Sequence, residues 1–169
     1  MNSNGREEKS KEEFSRIASN YEKGIWGMYF RFSYRQVLKK CRSYFKQNIK
    51  ILDIGCGPGG LELLLTKFIR KYELLGLDIS PQMIMTARQR VLDKNNKITF
   101  SVGRANKIPS PNSYFDIAFC LNTFHHLPEQ KNFLLEINRV LKPEGIFVVL
   151  DVTSDTIIRK IWIKIYNSI

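Results

Sequence analysis

The sequence predicts an α/β chain built on a doubly wound parallel sheet with helices on both faces. Three observations carry that expectation. Strand-like and helix-like segments alternate through the middle of the chain. The strand-like segments are continuously apolar, as in sheets covered on both sides. The first of them runs directly into a glycine-rich turn and then a helical pattern, as a right-handed crossover requires.

The five strand segments are IKILDI (49–54), ELLGLD (73–78), ITFSV (98–102), FDIAFCL (115–121) and GIFVVLDV (145–152). Each is short and rich in β-branched or aromatic residues. Ahead of them, Phe14, Ile17, Ala18 and Tyr21 fall at i, i+3, i+4 and i+7. They predict a helix over 10–22, with Ser10 and Glu13 as a capping box. A second helix is expected from about Trp26 to Phe45. Its aromatic residues Trp26, Tyr29, Phe30, Phe32 and Tyr34 could roof a pocket. Between the strands, one stripe runs from Leu61 to Tyr72. Ser80 and Pro81 read as N-cap and first-turn proline of a helix through about Leu92. Another stripe, Phe133 to Leu141, is stopped by Pro143 and Gly145. The tail DTIIRKIWIKIYNSI reads as a basic amphipathic helix. The expected organisation is one domain: a helical cap (1–47), a core (48–152) and a C-terminal amphipathic helix (153–169).

At 169 residues the chain is long enough to bury a real core. No apolar run approaches the roughly 18 residues of a membrane helix. The start, MNSNGREEKSKEE, holds no apolar segment of a secretory signal, so a cytoplasmic address is expected. Three cysteines and two adjacent histidines give neither a disulfide framework nor a zinc spacing, and no metal site is expected. The net charge is +11, and residues 1–50 hold twelve Lys/Arg against five Asp/Glu. That excess could steer an anionic partner, RNA or a membrane surface. The basic residues are scattered, however, so a solvated face is the favoured reading, and nucleic acid is possible but not favoured.

The chemistry-bearing segment is DIGCGPGG (53–60). Glycines permit a tight turn and close approach of a ligand, and the following helix offers free N–H groups. Gly55, Gly57 and Gly60 fit the G-x-G-x-x-G spacing of dinucleotide sites, while Gly55, Gly57 and Gly59 fit G-x-G-x-G. Asp78, at the end of the second strand, would bind ribose hydroxyls in either case. Asp53 leans toward the second without deciding it. An acid inside the first strand suits a cofactor with an ammonium and a sulfonium, and is unfavourable beside a pyrophosphate.

The stretches YFDIAFCLNTFHHL (114–127) and EINRVLKPEGIFVVLD (136–151) resemble the segments after strand four and around strand five of class I methyltransferases. The resemblance is to the small-molecule group that includes ubiquinone- and menaquinone-biosynthesis enzymes. FSRIASNY (14–21) resembles that group's N-terminal F-x-x-x-A-x-x-Y helix. The likeness spans about residues 14 to 166. It implies a Rossmann-like fold, S-adenosylmethionine as cofactor, S-adenosylhomocysteine as product, and direct methyl displacement onto a small-molecule acceptor. It implies that Asp53 and the run Gly55, Cys56, Gly57, Pro58, Gly59 hold the methionine moiety. Asp78 takes the ribose, Ile79 and Met83 lie by the adenine, and Arg104, Ala105 and Asn106 occupy its edge segment. Leu121 and Asn122 lie near the sulfonium. Arg104 stands where the group usually has an aspartate, and an arginine cannot accept from the adenine amino group. Candidate proton acceptors are His125, His126 and Tyr21.

The family's sheet has seven strands, the last two an antiparallel hairpin. The sequence is expected to stop at five and a helix, leaving the strand-five edge open to self-association. Two other readings stay open: a truncated or degenerate binding domain without turnover, and an RNA methyltransferase.

Overall fold

The computed structural model describes residues 3–18, 20–22, 24–93, 95–151 and 162–167. Among the described residues, six strands form one sheet: β1 (Ile49–Ile54), β2 (Tyr72–Asp78), β3 (Lys97–Val102), β4 (Phe115–Leu121), β5 (Leu141–Asp151) and β6 (Trp162–Asn167). Their order is β3-β2-β1-β4-β5-β6. The first five are mutually parallel, as expected, and β6 is antiparallel to β5. The α-helices among the described residues are α1 (Ser3–Ile17), α2 (Gly24–Lys40), α3 (Gly60–Leu65), α4 (Pro81–Arg90) and α5 (Gln130–Val140).

The period-2 geometry of the strands divides their apolar residues between two layers. Ile49 and Ile51 of β1, with Ile117, Phe119 and Leu121 of β4, face a core completed by α2 and α3. Leu52 and Ile54 of β1, with Ala118 and Cys120 of β4, face a core completed by Phe133, Ile137 and Val140 of α5. Between Phe115 and Ile117 the β4–β5 register shifts, because the Lys142–Gly145 stretch inserts extra residues into β5. Phe115 consequently joins the α5 layer while Ile117 faces the other one. All three cysteines are free and buried. No helix among the described residues is long and apolar enough to cross a membrane.

Three local expectations change. α1 begins at Ser3, so Ser10 lies inside the helix and is not its cap. The helix after β1 ends at Leu65, because Tyr72 is already the first residue of β2. The expected C-terminal helix is replaced, over Trp162–Asn167, by a strand. Its remaining residues, 153–161 and 168–169, lie outside the described residues. The isoleucines at 161, 163 and 165 fit a period of two as well as a helical one. Pairing settles the competition in favour of the strand: β6 runs along β5 from Ile146↔Asn167 to Asp151↔Trp162. The strand-five edge is therefore occupied, and the expected self-association along it has no free ladder to use.

Phe133 is 1% exposed and packs against Phe124 and Phe147, with ring centroids 6.0 and 5.7 Å away. Phe133→Ala is expected to cost about 3–5 kcal/mol, read as a lower denaturant midpoint at unchanged m-value. A loss under about 1 kcal/mol would mean that this layer is not close-packed.

Candidate active site

In an open parallel sheet the ligand crevice lies beyond the strands' carboxyl ends, where neighbouring strands send their connections to opposite faces. Here that point is the β1–β4 junction. The loop after β1 turns left-handed at Gly55, Gly57 and Gly59, with φ of 70°, 53° and 83°. A Cβ on Gly55 would stand 2.2 Å from Thr123 Oγ1, so the loops after β1 and β4 touch there. At Gly57 the corresponding direction is open, with nothing within 4 Å. The Gly57 N–H donates to Asp78 Oδ2 at 2.9 Å, and the Ser80 N–H donates to Oδ1 at 2.8 Å. Burial raises the Asp78 pKa, and these backbone donors oppose the rise. Ser80 Oγ in turn accepts from Met83 N–H and caps α4.

A cavity of about 820 Å³, counting the solvent at its mouth, opens over these loops. Twelve residues singled out from the sequence line it: Tyr21, Gly55, Cys56, Gly57, Pro58, Asp78, Ile79, Met83, Ala105, Leu121, Asn122 and His126. Phe14, Tyr34 and Thr123 also line it. Asn122 has a left-handed φ of 56°, and its buried side-chain amide has neither donor nor acceptor partner among the described residues. Such an orphan costs free energy unless a ligand satisfies it.

Five singled-out residues do not line the cavity. Strand parity turns Asp53 away from it, into the layer beneath α2 and α3. Gly59 caps α3, where a Cβ would meet Val91 Cγ2 at 2.7 Å. Arg104 is exposed, and the Asn106 amide donates to Glu129 Oε2 at 3.3 Å. Of that turn, Gly103 and Ala105 reach the wall. His125 turns toward Asp151: its Nδ1 lies 2.5 Å from Oδ1, and its backbone N–H donates to Oδ2 at 2.8 Å.

A groove adjoins the cavity and shares Phe14, Tyr21, Asn122 and His126 with it. Ile17, Trp26 and Phe30 extend its apolar wall, and His125 joins His126 on its polar side. The two imidazoles lie 3.9 Å apart. Burial, then the neighbouring His125, lower the His126 pKa. Burial, aided by Asp78 and Glu22, pushes the Tyr21 hydroxyl up to about 12. Tyr21 therefore keeps its proton near neutrality and is a donor, not a base.

Sequence reasoning missed Glu22, Glu62 and Asp151. Glu62 is fully buried in α3, where its carboxyl interacts with that of Asp53. It raises the Asp53 pKa on top of that residue's burial. The Glu22 carboxylate lies over Gly60, where a Cβ would come within 1.8 Å of it, and pairs with Arg90 at 2.9 Å. Arg90 also donates to Pro58 O, which ties this acid to the glycine loop. The available signals were positional. Glu62 interrupts the apolar stripe Leu61, Leu64, Leu65, and Asp151 ends a strand on the ligand-binding side of the sheet.

Burial raises the Glu62 pKa above its unfolded value. Its contribution is thus fully present below the unfolded pKa and is lost as pH rises through the folded one. Glu62→Gln should therefore raise Tm at pH 8 by several degrees, at about 2–4 °C per kcal/mol for a chain this size, and change it little at pH 4.5. An equal shift at both pH values would mean that Glu62 is not the titrating group.

The methyltransferase domain family matches residues 52–149. A demethylmenaquinone methyltransferase of Symbiobacterium thermophilum is 31% identical over 162 residues, covering 88% of this chain and 61% of that protein. The 2-methyl-6-phytyl-1,4-hydroquinone methyltransferase of Synechocystis is 34% identical over 101 residues, covering 60% of this chain and 31% of that protein. Among solved structures, a SAM-dependent methyltransferase from Aquifex aeolicus superposes with a TM-score of 0.64 at 28% identity, covering 75% of this chain and 68% of that one. The chain spans less than two thirds of the length of these two curated relatives. With fold, loop and profile in agreement, the chain belongs to the methyltransferase domain family.

Proposed function

We propose that the chain binds S-adenosylmethionine in this cavity and passes its methyl group to a small-molecule acceptor in the adjoining groove. The observation that carries the reading is the Asp78 carboxylate. It stands on the cavity wall between the open glycine turn and the apolar side chains of Ile79 and Met83. Each of its oxygens already takes one backbone N–H and keeps lone pairs for a pair of hydroxyls. Ile79, Met83 and Ala105 offer an apolar bed for a base. The orphaned Asn122 amide offers a donor and an acceptor to the methionine end. Asp53 and Glu62, behind the loop, supply negative potential for an ammonium without touching it. These groups fit the cofactor. When bound, it supplies a methyl already activated on a sulfonium, open to direct displacement.

The chain's own residues then position the acceptor, exclude water and receive a proton. Phe14 and Tyr21 cover the cavity. His126, held neutral by burial, sits where cavity and groove meet. Asp151 fixes His125 with Nδ1–H toward the carboxylate, which leaves Nε2 to accept. The two histidines are thus the proton-accepting pair, and Tyr21 donates a hydrogen bond.

Calorimetry with S-adenosylhomocysteine tests the reading. The chain should bind, and Asp78→Ala should weaken binding about tenfold or more, a loss of about 1.4 kcal/mol. Arg104→Asp should change affinity by less than about threefold, because residue 104 is off the wall. A folded chain that binds no S-adenosylhomocysteine ends the proposal. Affinity should also fall as pH drops and the Asp53–Glu62 pair takes up a proton. With a labelled methyl donor and a panel of phenolic and enolic acceptors, Asp151→Asn should lower kcat about 100-fold and shift the pH profile. Unchanged turnover would remove the His125–Asp151 pair from the mechanism.

A further inference from the structure

α2 is buried along one side, by Phe30, Tyr34, Val37 and Leu38, and its other side has an unusual make-up. Ile25 is 83% exposed, Met28 64%, Phe32 58% and Trp26 54%. Ile25, Met28 and Phe32 fall at i, i+3 and i+7, one outward stripe. Arg35 and Lys39 continue it, with Arg31 and Lys40 beside them, all exposed. The helix contains no Asp or Glu, and none of its four cations makes an ion pair with a described residue. The outward side is therefore apolar along its first half and cationic along its second.

We propose that this side of α2 docks on an anionic lipid bilayer, and that the acceptor enters the groove from that bilayer. A surface helix of this kind suits the boundary between acyl chains and headgroups. Ile25, Met28 and Phe32 would enter the apolar edge, while Arg31, Arg35, Lys39 and Lys40 meet headgroup phosphates. The indole of Trp26 suits the same boundary. Charge selects among occupants. A second copy pairing α2 on α2 would bring four cations against four with no acid on either helix, which is repulsive. Single-stranded RNA would suit the cations and stack on aromatics, but it gives aliphatic Ile25 and Met28 nothing to pack on. A bilayer suits both halves.

The docked side is continuous with the site. Trp26 lies on the groove wall together with Phe14, Tyr21 and the two histidines. Docking through α2 therefore sets the groove mouth at the lipid boundary. The acceptor class that fits is an amphiphile, with an apolar body held by the aromatic wall and a proton-bearing polar end at His125 and His126. This second half of the proposal rests on the methyl-transfer reading; the docking half does not.

Co-sedimentation with vesicles tests it, using phosphatidylcholine alone and phosphatidylcholine mixed with phosphatidylglycerol. The chain should bind the mixed vesicles about tenfold or more tighter than the neutral ones, and added salt should weaken that binding. The combined variant Ile25→Ser, Met28→Ser, Phe32→Ser should lose about tenfold or more in vesicle binding, while its calorimetric affinity for S-adenosylhomocysteine is unchanged. Arg31→Gln with Arg35→Gln and Lys39→Gln should abolish the preference for anionic vesicles. Absence of vesicle binding by a chain that still binds S-adenosylhomocysteine overturns the docking. So does a dimer in light scattering that the Ser variant dissociates, or salt-sensitive RNA binding without vesicle binding. Vesicle binding by a chain that ignores S-adenosylhomocysteine leaves the docking in place and removes the methyl-transfer reading.

Discussion

The parallel pairing of β1 with β4, with Asp53 opposite Phe119 and Ile54 opposite Cys120, sets two strand ends side by side at the centre of the sheet. The helix after β1 then covers one face, and the helix after β4 covers the other. Two chain segments that leave one point for opposite faces cannot fill the space between them, and the cavity is that space. The contact between Gly55 and Thr123 shows how close the two loops come before they part. Any side chain at residue 55 would separate them and open the cavity floor.

Around this junction the protein gathers negative charge in a chain that is basic as a whole. Asp53, Glu62, Glu22 and Asp78 come from β1, α3, the turn before α2 and the end of β2. Arg90 pairs directly with Glu22 and acts on Glu62 from a distance. Such a group costs stability in isolation, because carboxyls removed from water resist ionisation together. The group sits behind the glycine loop, where a cation bound over that loop would find negative potential. The His125–Asp151 pair stands on the other side of the junction. It spans from the turn after β4 to the end of β5, again using adjacent strand ends to join residues far apart in sequence.

Much of this was legible in the sequence, and the divide is physical. β1 and β4 begin and end where their apolar runs do, because a buried parallel strand imprints composition directly on sequence. The glycine loop and Asp78 were legible because a turn with positive φ and a strand-end acid are local requirements. Glu62, Glu22 and Asp151 acquire meaning only from neighbours that tertiary pairing supplies, and no local pattern encodes those. Arg104 and Asn106 show a finer limit. The segment reaches the cavity wall, yet only the backbone turn decides that Gly103 and Ala105 line it while Arg104 and Asn106 do not. The C-terminal strand was misread because WIKIYN satisfies helical and strand periods alike, and only the waiting edge of β5 distinguishes them.

The cover over the cavity comes from α1 and the turn that follows it. Phe14 and Tyr21 meet edge to face with centroids 5.9 Å apart, and the Ser15 hydroxyl lies 2.9 Å from that of Ser80. Phe14 also meets the His126 ring with centroids 5.0 Å apart, and Tyr21 stacks on Phe30 at 5.1 Å, so this cover rests largely on aromatic contacts. Residence time follows from that. A small molecule beneath this cover would leave only when those rings part. The rings that would set the tempo of exchange are then the same ones that stand beside His126.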